Sequence, residues 1–489
     1  MKRGPKQEKG RHKRPKPASA SPHQRAADTS AGPARKPRPS KPGFELRRIA
    51  LKTLSRVLDD GDLLDPQMEE AAWKALSPAD RALLRAIVST TLRRLGEIDH
   101  LLALLMDRPL GPKGQMAKHI LRLGVTQLLY LDVADHAAVA TAVDLADSNH
   151  KTRPYKALIN AILRRLTRER EQFAEPPSDA GRLNTPNWLF KSWSAAYGES
   201  KALQIANAHQ LLAPLDLSAH ADQHVVAQDV GGSCLSNGSV RLNHRGQITD
   251  LPGFAEGRWW VQDAAARLPA MLLGQVAGAM VADLCAAPGG KTAQLAAAGA
   301  HVTAVDSSAH RLKRLHENMI RLNFAEHVQT VEADLHTWEP DTLFDAILLD
   351  APCSATGTLR RHPDAAWTKR KSDLKALIDL QAALLERALK WLKPGGRLVY
   401  CTCSLQPEEG ADQIEALLSR NADFVRLPIT ADDIGGLESA VTDTGDLRTL
   451  PYMSFSVVNR YGETNSDQDN GSAFPSGMDG FFASRLMRK

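Results

Sequence analysis

Aromatic residues make up only 5% of this 489-residue chain. Such scarcity argues against a sheet of exposed rings on which nucleic-acid bases stack. Cysteine is rare too, at Cys234, Cys285, Cys353, Cys401 and Cys403. Five thiols in so long a chain are no disulfide framework, and a reducing cytoplasm is expected. No apolar run reaches membrane-spanning length and no signal-peptide core follows the start, so no membrane association is expected. Basic charge is not spread through the chain either. Residues 1–43 hold thirteen Lys/Arg and two acids, which leaves 49 basic and 54 acidic residues for the rest. The body is slightly acidic, and the basicity belongs to a tail.

That tail, rich in Lys, Arg, Pro, Ser and Gly, cannot build a core and is expected to be disordered. It reads equally well as a counterion-releasing arm for RNA and as a solubilising tail. Its prolines spoil the amphipathic helix of a transit peptide. From Phe44 to about Arg170 the apolar spacing is helical. Ile49, Leu51, Leu54 and Leu58 open it, and Ser77-Pro78-Ala79-Asp80 is a helix start ahead of Leu83, Leu84, Ile87 and Val88. Further helices are expected over Leu101–Met106, Ile120–Leu131, Ala137–Ala146 and Ala157–Leu166. Residues 171–257 read as a linker, with Pro176-Pro177-Ser178-Asp179, and a small α+β subdomain with short strands at Leu215–Ala219 and Val240–Leu242.

The stretch that organises the rest runs Val281-Ala282-Asp283-Leu284-Cys285-Ala286-Ala287-Pro288-Gly289-Gly290-Lys291-Thr292. An apolar run, a Pro-Gly-Gly turn and an Ala/Leu-rich helix make the strand, loop and helix N-terminus with which α/β nucleotide-binding folds begin. A P-loop is the rival reading, but its first glycine would fall on Cys285. Apolar runs at Val281–Cys285, Val302–Val305, Val328–Val331, Ala346–Leu349 and Leu398–Cys401 alternate with helices such as His310–Asn323 and Ser372–Leu392. They predict a doubly wound, mostly parallel sheet over residues 258–489.

Strands of such a sheet deliver ligand-binding groups at their carboxyl ends. Asp306 closes the second run, Glu332-Ala333-Asp334 the third and Asp350 the fourth. Three acids in register with a glycine loop point to a nucleoside-like cofactor. Past Asp350 the chain reads Ala351-Pro352-Cys353-Ser354, and the fifth run ends Cys401-Thr402-Cys403-Ser404, with Pro407-Glu408-Glu409 after it. Cys353 and Cys403 therefore stand at adjacent strand ends. As metal ligands they lack a full set of partners, and as a redox pair they lack the C-x-x-C spacing. As nucleophile and partner they suit a carbon that thiolate attack must first activate. Cys401 reads as buried structure.

On these motifs the chain resembles the S-adenosylmethionine-dependent cytosine-5 RNA methyltransferases, specifically the bacterial small-subunit ribosomal RNA enzymes of the Sun/Fmu type. Asn160-Ala161-Ile162-Leu163-Arg164-Arg165-Leu166 resembles the last helix of the NusB-like RNA-binding domain. The resemblance covers nearly everything from residue 44 on. It implies an all-α NusB-like domain (44–170), the small α+β subdomain (171–257) and an α/β Rossmann-like methyltransferase domain (258–489), and a monomer is expected. It implies that Cys285, Ala286, Ala287, Pro288, Gly289, Gly290 and Lys291 cradle S-adenosylmethionine, with Asp306 on its ribose and Asp334 at its adenine. Asp350 would meet the methionine end or the target base. Between the two cysteines, the resemblance makes Cys403 the nucleophile on carbon 6 of cytosine and Cys353 its helper in elimination, with no metal. It also casts Arg360-Arg361-His362-Pro363-Asp364 as an RNA-facing loop. One departure is Tyr452–Ser476, inserted between Leu447-Arg448-Thr449-Leu450-Pro451 and Gly477-Met478-Asp479-Gly480-Phe481-Phe482, where a surface loop is expected. The alternative from another class is a catalytically inactive NusB-type RNA-binding or assembly factor.

Overall fold

Periodic apolar residues fold the first third of the described chain into packed helices. The computed structural model describes Met1 and residues 43–173, 175–243, 246–463 and 476–489. Residues 2–42 of the basic tail and 464–475 of the insertion lie outside them. Helices α1 (Phe44–Ser55), α2 (Pro78–Arg93), α3 (Leu95–Leu105), α4 (Gln115–Leu129), α5 (Asp135–Ser148) and α6 (Lys156–Arg168) form the N-terminal bundle. Ser77 caps α2 as its sequence predicts, its hydroxyl accepting from Asp80 N at 3.1 Å. Leu46, Ile49, Leu54, Leu84, Ile87 and Val88 make one core cluster, and Ile120, Leu121, Ile159 and Leu163 belong to a second.

Two helices, α7 (Asn187–Tyr197) and α8 (Glu199–Ala208), lead to a small antiparallel sheet of order β2-β3-β1-β4. Its strands are β1 (Leu215–Ala219), β2 (Ser233–Cys234), β3 (Val240–Leu242) and β4 (Trp259–Val261), with α9 (Gln223–Val230) between β1 and β2. Here a boundary needs correction. Trp259 and Trp260 pair with Ala219 and Ser218, so the small sheet extends past the expected boundary at residue 257. The first half of the insertion also docks on it, with Val457 bridging Leu235 and Val458 N donating to Cys234 O at 2.9 Å.

After α10 (Ala264–Met271) comes the main sheet. Its strands are β5 (Met280–Leu284), β6 (His301–Asp306), β7 (Val328–Glu332), β8 (Phe344–Asp350), β9 (Leu392–Thr402), β10 (Phe424–Arg426), β11 (Leu447–Arg448) and β12 (Phe482–Arg488). The order is β10-β12-β9-β8-β5-β6-β7, and β5 to β9 run parallel as their apolar runs predict. Leu268, Leu295, Leu315 and Met319, from α10, α11 (Gly290–Ala297) and α12 (Ala309–Arg321), cover one face. On the other lie Leu384, Leu385, Ile414 and Leu417, from α13 (Leu374–Lys390) and α14 (Ala411–Leu418).

The bundle is stitched to this domain. Leu64 N donates to Asp364 Oδ2 at 2.9 Å, Arg93 Nη2 to Arg360 O at 2.9 Å, and Trp367 Nε1 to Leu92 O at 2.8 Å. Gly96 allows a close approach between elements, because a Cβ there would stand 1.9 Å from Leu183 O. Among the described residues no helix is long and apolar enough to cross a membrane.

Candidate active site

The carboxyl ends of β5, β6, β7, β8 and β9 meet at one edge. Leaving β5, the chain turns at once, with Cys285 at φ 61 and Gly289 at φ 100. A side chain at Gly289 would press within 2.7 Å of Leu315, so this turn needs glycine for space as well as for angle. Ala286 N donates to Val305 O, Gly289 N to Ala286 O, and α11 begins at Gly290 with its free N–H groups. Burial pushes the Cys285 thiol well up.

Asp306 is buried and holds the loop. Its carboxylate accepts from Ala287 N at 3.1 Å, Ser308 N at 3.0 Å and Arg311 Nη2 at 3.0 Å. A carboxylate offers about four lone-pair directions, so capacity remains for a ligand hydroxyl. The side chain lines a cavity of about 280 Å³ whose other walls include Cys285, Asp334, Leu335, Pro352 and Leu384. Two carboxylates, Asp306 and Asp334, beside the apolar Leu335, Pro352, Leu380 and Leu384 suit a nucleoside, and these residues fit S-adenosylmethionine. Larger hollows exist, one of about 640 Å³ beside Trp188, Pro407 and Glu408, but none of the three strand-end acids lines it.

Asp350 Oδ2 accepts from Lys291 Nζ at 2.8 Å. Burial works against the Lys291 ammonium, yet Asp350 and the other negative groups around it outweigh that and hold its pKa above the ordinary value. Cys401 lies buried alongside, its sulfur 3.5 Å from Asp350 Oδ1, in the structural place expected of it. The other two thiols come together: Cys353 Sγ stands 3.4 Å from Cys403 Sγ. The hydrogen bond to Cys403, with burial, pushes the Cys353 thiol well up. Cys234 sits far off, in the small sheet.

Sequence reasoning missed two features of this centre. Gly357 N donates to Cys403 O and Gly480 N to Gly357 O, each at 2.9 Å, so the C-terminal Gly-Phe-Phe motif closes over the cysteine loops. A Cβ on Gly357 would meet Gly480 O at 1.9 Å. Second, Glu409 is wholly buried behind the thiols, with Ser354 and Ser404 hydrogen-bonded to it.

The expectation for Arg360–Asp364 is not met at Arg360, Arg361 and Asp364. Arg360 is 2% exposed and donates to Leu212 O and Ser476 O. Arg361 bridges two buried carboxylates, Asp263 at 2.5 Å and Asp479 at 2.9 Å, and Asp364 receives Leu64 N. The two guanidinium groups are committed to protein acceptors and fasten parts of the protein together, while Arg361 and His362 also line a hollow with Arg85, Arg93 and Arg94.

The fold is that of a Rossmann-like methyltransferase domain joined to a NusB domain, and the protein uses S-adenosylmethionine. The family described as 16S rRNA methyltransferase RsmB/F matches residues 270–487, and the NusB family matches residues 45–168. A ribosomal RNA small subunit methyltransferase B of Serratia proteamaculans is 38% identical over 399 residues, 78% of this chain and 92% of that protein. The protein of the same name from Salmonella paratyphi B is 35% identical over 467 residues, 91% of this chain and 99% of its own. The crystal structure of PH0851 shares the fold, with a TM-score of 0.67 at 21% identity, over 92% of this chain and 99% of that one. The chain belongs to the 16S rRNA methyltransferase RsmB/F family and is an RNA methyltransferase.

Proposed function

We propose that this protein methylates carbon 5 of a cytosine in small-subunit ribosomal RNA through a covalent adduct with Cys403, acting as a cytoplasmic monomer. The observation that carries the reading is the pair of thiols, 3.4 Å apart at the ends of β8 and β9 and beside Asp350. Relatives named for ribosomal RNA methylation support the substrate class.

Carbon 5 of cytosine is too weak a nucleophile to take a methyl group unaided. Cys403, as thiolate, adds to carbon 6 and makes carbon 5 enamine-like. Bound S-adenosylmethionine supplies the electrophilic methyl group. Asp350, with the Lys291 ammonium at 2.8 Å, faces the base edge where charge develops. Cys353 then assists removal of the carbon 5 proton and release of Cys403. A target inside folded RNA leaves its stack to enter the pocket.

Bisulfite sequencing of ribosomal RNA from a deletion strain tests the proposal. One small-subunit cytosine that resists conversion in the parent becomes convertible in the deletion, and complementation restores resistance. No such cytosine would contradict it. Calorimetry with S-adenosylmethionine addresses the inactive-factor alternative, which predicts no binding heat alongside intact RNA association.

A further inference from the structure

Ser354 directly follows Cys353, and Ser404 directly follows Cys403. Both serines are buried, and both are gripped by the same side chain. Glu409 Oε1 accepts from Ser354 N at 2.8 Å and from Gln381 Nε2 at 3.0 Å. Its Oε2 accepts from the Ser354 hydroxyl and, at 2.5 Å, from the Ser404 hydroxyl. The two hydroxyls are themselves 3.1 Å apart. Glu409 is fixed in turn from its backbone, where its carbonyl receives Tyr400 Oη at 2.9 Å and Thr402 Oγ1 at 3.2 Å. Gln381, on α13, also donates to Pro352 O at 2.8 Å, just ahead of Cys353.

All four partners of this carboxylate are neutral donors. Burying an acid on such terms is costly and calls for a reason. Past Ala351, whose N–H donates to Cys401 O, the thiols are carried on turns. Gly357 N on Cys403 O at 2.9 Å and Leu405 N on Thr356 Oγ1 at 3.0 Å tie the far sides of these turns, and the acceptor shared by Ser354 and Ser404 ties them next to the thiols.

We propose that Glu409 is the positioning residue of this centre: its carboxylate clasps Ser354 and Ser404 and so sets the distance between the Cys353 and Cys403 thiols. It touches neither the cofactor cavity nor the sulfurs, and acts through the two serines. The link to methyl transfer rests on the cysteine chemistry proposed above, but the clasp itself can be tested without RNA.

The variant is Glu409→Gln in the full chain, which keeps the shape and turns one acceptor into a donor. One side of the clasp then faces donor against donor. The first readout is closure of the Cys353–Cys403 disulfide by diamide below the melting temperature, followed by mass spectrometry. In that reaction the two thiols give up two protons and two electrons to the azo bond, which becomes a hydrazine. Closure is expected to slow about tenfold or more as the sulfurs lose their registration, while S-adenosylmethionine affinity is unchanged. With RNA, kcat falls about tenfold to hundredfold and KM stays within about twofold. Adding Ser354→Ala and Ser404→Ala to Glu409→Gln brings little further loss, because all three act as one unit. Unchanged closure in a folded Glu409→Gln protein overturns the proposal, whatever happens to kcat. Slowed closure with unchanged kcat upholds the clasp and contradicts the two-cysteine mechanism instead. If Glu409→Gln does not fold, the Ser354→Ala/Ser404→Ala protein carries the same test, with the same closure rate deciding it.

Discussion

Asp350 and Cys401 lie opposite each other in the parallel pairing of β8 and β9, and Ala351 N donates to Cys401 O at 2.9 Å. That register brings the centre together. Parallel neighbours leave a sheet in the same direction, so the continuation of one strand runs beside that of the other. Cys353 and Cys403 follow within three residues of this pair, and their sulfurs arrive 3.4 Å apart across fifty residues of sequence.

Asp306 holds the Ala287 loop and lines the cavity read as the cofactor site. Asp306→Asn keeps the side chain's size while weakening its acceptance from Ala287, Ser308 and a ribose hydroxyl. Cofactor affinity is expected to fall by about 1–3 kcal/mol, read by calorimetry on the folded variant. An unchanged dissociation constant would remove Asp306 from the cofactor site.

Asp283 gives a pH signature. It is fully buried, receives Thr292 Oγ1 at 2.6 Å on one oxygen and, among the described residues, has no partner on the other. Burial raises its pKa to about 7, against 3.8 for the free side chain. The folded protein therefore keeps a proton that the unfolded chain releases, and stability falls as pH climbs from about 4 to about 7. Asp283→Asn cannot titrate. Relative to the parent, its stability is expected to rise across that window, by up to about 4 kcal/mol, and to level off above it. Melting curves at pH 5 and pH 8 check this, and a constant difference between the two proteins would contradict it.

Arg361 separates the reading of its loop as an RNA contact from the reading as a fastening. With Asp263 and Asp479 both buried around it, Arg361→Gln leaves two carboxylates without their cation. A loss of about 3–5 kcal/mol in stability is expected, with RNA affinity and its salt dependence unchanged at a temperature where the variant is folded. A variant of normal stability that binds RNA more weakly would restore the RNA-facing reading.

Legibility in the sequence followed burial. The parallel strands were legible because burial on both faces makes each a continuous apolar run. The turn after β5 was legible because Gly289 and Cys285 answer a local geometric demand. By contrast β12 inserts antiparallel between β9 and β10, and its Phe-Ala-Ser-Arg-Leu-Met-Arg run shows no such continuity. Arg360 and Arg361 misled for a related reason: charge in a loop reads as surface, and only the fold reveals Asp263 and Asp479 closing around the second guanidinium. For Glu409 the local signal was a serine after each cysteine and an acid five residues beyond the second serine. Its meaning depends on β8 and β9 being neighbours.

The division of labour between the two thiols is the centre of the account, and denaturing gel electrophoresis of enzyme with substrate RNA and S-adenosylmethionine tests it most directly. Cys353→Ala keeps the attack and methyl transfer but loses help in elimination, so RNA joined to Cys403 is expected to accumulate as a slow band. Cys403→Ala is expected to give neither methylation nor a band. If Cys403→Ala traps RNA and Cys353→Ala does not, the roles are reversed. If neither variant traps RNA while Cys353→Ala is merely slower, Cys353 only packs beneath the loop and its assigned role is wrong.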